Sequence, residues 1–432
     1  MVSKSYPDGW QLVKLSDLGE VNRGRSRHRP RYAEHLYGGP YPFIQTGDIK
    51  AAGGRITSYQ QTYSEAGLVQ SRLWSSKTMC ITIAANIAET GILMFPACFP
   101  DSVIGFIADE SKCDVYFIEY MFRHLKRHLQ HQASGSVQDN INLETLERLQ
   151  FPLPPLDEQK AIAHILGTLD DKIELNQQMN QTLEAIAHAL FKSWFIDFDP
   201  VRAKLDGRQP IGMDAETAAL FPAEFEDSAL GKIPKGWKVK PLDQIADFLN
   251  GLALQKYPPE GDDYLPVIKI AELRKGITES SGKASPNIDE KYIVQDGDVL
   301  FSWSGSLEAL IWCGGKGALN QHLFKVTSRS YPKWFYYEWV KFHLADFQAI
   351  AASKATTMGH IQRHHLTEAF VVVAPDNLIK AMGKRMSPLL EKFINNNLES
   401  QVLTSIRDAL LPKLLSGEIR VQDAETVVEA VT

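Results

Sequence analysis

Five arginines alternate with small or polar residues in Asn22-Arg23-Gly24-Arg25-Ser26-Arg27-His28-Arg29-Pro30-Arg31, and no acid lies between Glu20 and Glu34. A guanidinium is planar and permanently charged, and its fork of donors fits a guanine edge or a phosphate. Gly24 and Pro30 make the stretch a loop or an irregular edge. Such density in a region of otherwise balanced charge favours DNA contact by Arg23, Arg25, Arg27, Arg29 and Arg31 over a merely solvated basic loop. Other polar stretches carry side chains that can read base edges or phosphates: Gln45, Thr46 and Asp48; Ser134, Ser136 and Gln138; Lys256; Lys269 and Glu272; Lys354, Thr357 and His360. Ordinary turns are the competing account for each.

Catalytic chemistry finds no pattern to stand on. The chain has no GxxxxGK[ST], no GxGxxG after a strand, no HExxH and no Asn/Asp-Pro-Pro-aromatic methyltransferase motif. Glu158-Gln159-Lys160 has the E-x-K half of a nuclease site, but it falls in the first turn of a predicted helix, where acids suit the helix start. His124, His128 and His131 share a helical face with Lys126 and Arg127 interleaved, a solvated or phosphate-facing surface more than a metal site. The same reading covers His360, His364 and His365. Four cysteines without ligand spacing fit buried thiols in a reducing compartment. No metal ligands and no catalytic residues are expected.

Two long periodic stretches must position these loops. After three prolines (Pro152, Pro154, Pro155) and a predicted N-cap at Asp157, a helix continues to Phe195 with a seven-residue repeat. Ile162, Leu169, Asn176, Leu183 and Leu190 form one row, and Ile165, Met179 and Ile186 lie on the other. Such a helix would be roughly 60 Å long and needs a partner. Asp376 to Leu415 supplies one: Met382, Leu389, Asn396, Leu403 and Leu410 share a row, with Met386 and Phe393 on the second. Asn176 and Asn396 are polar layers of the kind that set register. Pro388 is expected to kink or restart the second helix.

The repeat extends beyond the helices. Pro7-Asp8-Gly9-Trp10 leads to Gly24, and Pro234-Lys235-Gly236-Trp237 leads to Gly251 at the same spacing. Tyr41-Pro42-Phe43-Ile44-Gln45 is matched by Leu265-Pro266-Val267-Ile268-Lys269, and strand-like runs follow at Thr78–Ile83 and Val299–Trp303. Each half mixes short strands with helices, an α+β class. Two pseudo-repeated globular domains, 1–155 and 234–375, are therefore expected around helices 156–196 and 376–416. An ordered connector (197–233) and a short tail (417–432) complete the chain. The net charge of −6 is concentrated: residues 156–200 carry 3 Lys/Arg against 8 Asp/Glu, whereas 1–155 and 234–375 each carry 16 against 15. Both globular halves are thus free to present local basic surfaces. No 18-residue apolar run and no secretory leader is present, so a cytoplasmic, non-membrane protein is expected.

The order of a P-x-G-W opening, PLPPLDEQKAIAHIL, a long helix, DFDPVRAK and a second P-x-G-W resembles the DNA-specificity subunit of type I restriction–modification systems, over essentially the whole chain. The resemblance implies two target-recognition domains, each reading one part of an interrupted DNA site. The two long helices would pack as an antiparallel coiled coil that spaces them. It also implies a non-catalytic chain that docks two methyltransferase subunits and restriction–motor subunits on double-stranded DNA. S-adenosylmethionine, ATP and Mg²⁺ would then belong to those partners. A coiled-coil assembly scaffold and a stand-alone DNA-binding regulator are the rival classes. The scaffold leaves the arginine loop unexplained, and the regulator leaves the long helices without a role.

Overall fold

The computed structural model describes residues 6–84, 86–134, 141, 143–353 and 359–431. The chain divides into two compact units. One comprises Met1–Ile173 with Val402–Thr432, and the other Glu174–Gln401. The division falls within both long helices, Leu156–Phe195 and Asp376–Ser416. The reason is burial: each helix commits part of its length to each core.

In the first unit a five-stranded sheet has the order Gly19–Arg23, Val103–Ala108, Met79–Thr82, Thr90–Leu93, Gly54–Ile56; only the last pairing is parallel. The second unit repeats its first four strands as Asp247–Asn250, Leu323–Thr327, Val299–Ser302 and Ala309–Ile311, all antiparallel. It adds a second sheet around Leu265–Ile268 and Gly317–Leu319. In each unit the strand after the P-x-G-W motif pairs with the strand that feeds a long helix. Gln11–Lys14 lies against Gln150–Leu153, and Lys238–Pro241 against Phe370–Val373. The aromatic helical segments are Val115–Ser134 and Lys333–Ser353.

The first long helix starts at Leu156, so Asp157 stands inside the first turn and is not the cap. Trp10 donates its indole N–H to Glu158 at 3.1 Å, which ties the P-x-G-W motif to that turn. The second helix runs on through Pro388 without the predicted restart. Pro388 is exposed, so the Lys384 carbonyl it leaves unbonded falls where water can serve it.

In the second unit rising numbers on one long helix meet falling numbers on the other, so the pair is antiparallel. In the first unit Ile162, Ile165, Leu166 and Leu169 share a core with Leu403, Leu410 and Leu414. In the second, Asn176 Nδ2 donates to Glu399 at 2.8 Å, and Asn396 Nδ2 donates to Asn180 Oδ1 at 2.9 Å. The heptad assignment needs one correction. Ile186 is 43% exposed, while Ala187 and Phe191 take the buried places. A helix of 3.6 residues per turn drifts about 20° per heptad against a strict 3.5 repeat, which turns Ile186 outward by the third heptad. Met179, Leu183, Leu190, Leu389 and Phe393 are half-buried, and Met382 and Met386 are buried.

The connector is ordered: Phe198 and Phe221 are buried and Phe225 is half-buried in the second core, while Leu220 stays at the surface. The tail holds a helix, Val421–Glu429, whose Ala424 and Val428 are buried in the first core.

Equivalent helices of the two units carry equivalent buried acids with different company. Glu119 pairs with Arg123 at 2.9 Å and accepts from Thr90. Asp170 accepts from Tyr120, Arg123 and Arg407. Burial alone would raise the Asp170 carboxyl, but the two guanidiniums outweigh it and hold the group below its usual range. In the second unit Phe342 stands where Arg123 stands. Glu338 is left with one carboxylate oxygen lacking a hydrogen-bond partner, with the exposed His188 ring 3.8 Å away. Burial pushes Glu338 up to about 7, with Lys341 opposing.

Two outcomes are expected. An acid whose folded pKa exceeds its unfolded value stabilises least once both states are ionised, so stability falls as pH rises from the ordinary carboxylate range through about 7. Thermal unfolding should therefore show Glu338→Gln more stable than the parent at pH 8, by roughly 1–3 kcal/mol, with little difference at pH 5. Asn396→Leu alone leaves the Asn180 carbonyl unserved and should cost about 1–3 kcal/mol in denaturant unfolding. Adding Asn180→Leu should recover much of that loss.

Candidate nucleic-acid interface

The arginine loop leaves the edge strand Gly19–Arg23 and is pinned where it turns. Gly24 N–H donates to the Val103 carbonyl at 2.8 Å, and Arg25 N–H to Phe99 at 3.2 Å. A Cβ at position 24 would stand 2.2 Å from the Pro100 carbonyl oxygen, so only glycine fits. Gly251 repeats this: its N–H donates to Leu323 at 3.1 Å, and a Cβ there would meet the Asn320 carbonyl oxygen at 2.2 Å.

All five arginines are exposed, but they are not equivalent. Arg23 donates to the Asp101 carbonyl at 2.6 Å, and Arg31 holds the Asp101 carboxylate at 2.9 and 3.0 Å. Arg29 closes the loop on the Ser26 and His28 carbonyls at 2.7 and 2.9 Å. Ser71 and Gln70 brace it from outside, through the Arg25 carbonyl and the His28 N–H. The guanidiniums of Arg25 and Arg27 have no hydrogen-bond or ion-pair partner among the described residues. The loop thus spends three guanidiniums on its own shape and leaves two turned to solvent.

The other sequence candidates divide in the same way. Asp48 and Glu272 hold equivalent positions, each accepting the N–H three residues earlier, from Gln45 at 2.8 Å and Lys269 at 3.0 Å. Glu272 is 8% exposed and also accepts from Ser281, so its carboxylate is engaged within the turn. Gln45 donates to Gln61, Thr46 is half-buried, and Lys256 and Lys269 are exposed. Ser134 ends its helix, and its side chain, with Ser136, Gln138, Lys354 and Thr357, lies outside the described residues. His360 is half-buried with its ring 6.3 Å from Trp303. His364, His365 and Glu368 bring three possible ligand atoms within 4.8 Å of one another. His365 Nδ1 already accepts the Gln362 N–H at 2.9 Å, the cap of a short helix.

The structure adds a group that sequence reading missed. Cys98–Val103 in the first unit and Ala318–Leu323 in the second are equivalent segments, so Asp101 corresponds to Gln321 and Ser102 to His322. Around Gln321 stand Trp303, whose indole N–H donates to Asn250 at 2.9 Å and to the Gln321 carbonyl at 3.1 Å, and Ser304, 2.9 Å from His322. Carrying the Gly24/Gly251 alignment forward through these segments would have found them.

The chain belongs to the type I restriction–modification DNA-specificity family: the model of the type I restriction modification DNA specificity domain matches residues 7–185 and again 234–406. It is a specificity subunit with two target-recognition domains, and its non-catalytic character follows from that membership. Among similar proteins, the MjaIX specificity subunit of Methanocaldococcus jannaschii is 27% identical, over 96% of this chain and 95% of that one. The HindI specificity subunit of Haemophilus influenzae is 28% identical, over 65% of this chain and 71% of that one. The crystal structure of the type I S subunit from M. genitalium shares the fold, with a TM-score of 0.57 at 16% identity, covering 96% of this chain and 97% of that one. Among the described residues no helix is long and apolar enough to cross a membrane.

Each lysine or arginine that neutralises a phosphate contributes about one unit to the slope of log affinity against log salt. In the assembled complex, Arg25→Ala with Arg27→Ala should flatten that slope by up to roughly two units, read by anisotropy on a labelled duplex. An unchanged slope would remove both from the phosphate contacts.

Proposed function

We propose that this chain reads an interrupted two-part DNA site, one part per target-recognition domain, and docks catalytic subunits on its long helices. The observation that carries the reading is one scaffold position with two chemistries. The loop packed behind Gly24 presents Arg25 and Arg27, while the one behind Gly251 lies beside an uncharged group of amide, indole and imidazole side chains. Two copies of one fold with different lining suit two different half-sites. Phosphate contacts from lysine and arginine supply affinity, and loop side chains supply choice of sequence.

The docked chains are two methyltransferase subunits with restriction–motor subunits joining them. They bring S-adenosylmethionine, ATP and Mg²⁺, and the assembly works in the cytoplasm on chromosomal duplex DNA. Polar, exposed positions along both helices suit a docking surface better than a buried core would.

The test is a methylation map. The chain is co-expressed with its methyltransferase in a methylation-free host, and adenine methylation is read by sequencing. One interrupted motif that vanishes without this chain is expected, and Arg25→Ala with Arg27→Ala should alter only the half read by the first domain. An assembled, competent complex that methylates nothing would sink the reading and favour a scaffold.

A further inference from the structure

We infer that Gln321 reads the major-groove edge of an adenine in the second half-site, with His322 and Ser304 as the residues that orient its amide. This rests on the second domain being a DNA reader. Gln321 Nε2 lies 3.3 Å from His322 Nε2, and His322 Nδ1 lies 2.9 Å from Ser304 Oγ. An amide nitrogen only donates, so His322 Nε2 accepts. The neutral ring then carries its hydrogen on Nδ1 and donates to Ser304. With the amide nitrogen toward the ring, the chain runs from amide to imidazole to hydroxyl.

What remains is the reading edge. Gln321 is half-buried, and one of its two amide hydrogens goes to His322. The other amide N–H and the side-chain oxygen Oε1 have no hydrogen-bond partner among the described residues. A donor beside an acceptor is the complement of adenine, whose N7 accepts and whose N6 amino group donates. Guanine offers two acceptors at the same places and would set its O6 against the Gln321 carbonyl oxygen.

The main chain beneath this amide is held as firmly as the side chain. The Trp303 indole N–H donates to the Gln321 carbonyl at 3.1 Å, and the Gln321 N–H donates to Leu252 at 2.9 Å. His322 N–H donates to the Asn320 side chain at 3.2 Å. In the first unit the same position is Asp101, which is consumed by Arg31. The two domains therefore use one corner of the fold differently: as an anchor for arginines in the first, and as a reading group in the second.

The test uses the full complex with its methyltransferase, once the methylation map has defined the second half-site. Competitor duplexes carry 7-deazaadenine, which lacks the N7 acceptor, at each adenine of that half-site in turn. One position should weaken binding by roughly tenfold. In the Gln321→Ala complex the same substitution should cost nothing further. Gln321→Glu, which can only accept, should move the preference at that position toward cytosine, whose N4 amino group donates. His322→Ala should blur discrimination at that position alone, leaving the first half-site and total affinity for the other positions as they were; a merely structural loss would weaken all positions together.

If no adenine of the second half-site responds to loss of N7 in the parent complex, the assignment is wrong without recourse to any variant. If one responds but does so equally in Gln321→Ala, another residue reads it. In both cases the two-domain reading survives, because the interrupted motif is still methylated. A competent complex with no interrupted motif would bring down both together.

Discussion

The first core cannot close without the far end of the chain. Leu403, Leu410, Leu411, Leu414 and Leu415 lie among the same buried residues as Phe117, Phe122, Phe151 and Leu166, and the tail helix adds Ala424 and Val428. More than 200 residues separate the two contributors, so a long loop must close before that burial is gained. The entropic cost of closure grows only slowly with loop length, which makes such an arrangement affordable. The antiparallel pairing of the long helices is what delivers the distant segment. Its polar centre, Asn176 with Glu399 and Asn180 with Asn396, favours one register over an apolar seam that could slide.

The buried ionic groups show the same economy applied unequally. Glu119, Arg123, Asp170 and Arg407 satisfy one another, joining the recognition domain to both long helices inside the first unit. The second unit keeps the acid, as Glu338, but replaces the arginine by Phe342 and fills the surroundings with Trp334, Phe335 and Trp339. Removing one member of a charged set without the other is costly, and the second unit meets that cost by keeping Glu338 harder to ionise. The two halves thus differ here in charge while keeping a buried acid at the same place.

The proposed reading concerns a still smaller part of the structure. Gly24 and Gly251 hold the same close approach of two backbones, so either unit can exchange the side chains around that turn without moving the scaffold. Fold and reading are thereby uncoupled, as expected where a site is grafted on a common frame.

Much of this was legible in the residues alone. The prolines at 152, 154 and 155 marked where the first long helix begins, the apolar rows marked its length, and the paired P-x-G-W motifs marked the repeat. These signals are local, carried by backbone chemistry and periodicity within a few turns. The arginine loop was also visible, because five guanidiniums in nine residues stand out in any context. The sequence could not say that Arg23, Arg29 and Arg31 are bound within the loop and at Asp101 while Arg25 and Arg27 are not. Nor could it tell that Ile186 would turn outward, that Glu272 would be spent on a turn, or that Gln321 and His322 would meet Ser304. Each of those outcomes depends on which segment, distant in the chain, lies within hydrogen-bond reach, and a distance of 3 Å between such segments is set only when the cores have packed. Element type and repeat were determined by the sequence; which polar side chains are used up within the fold and which are left over was decided by the tertiary structure.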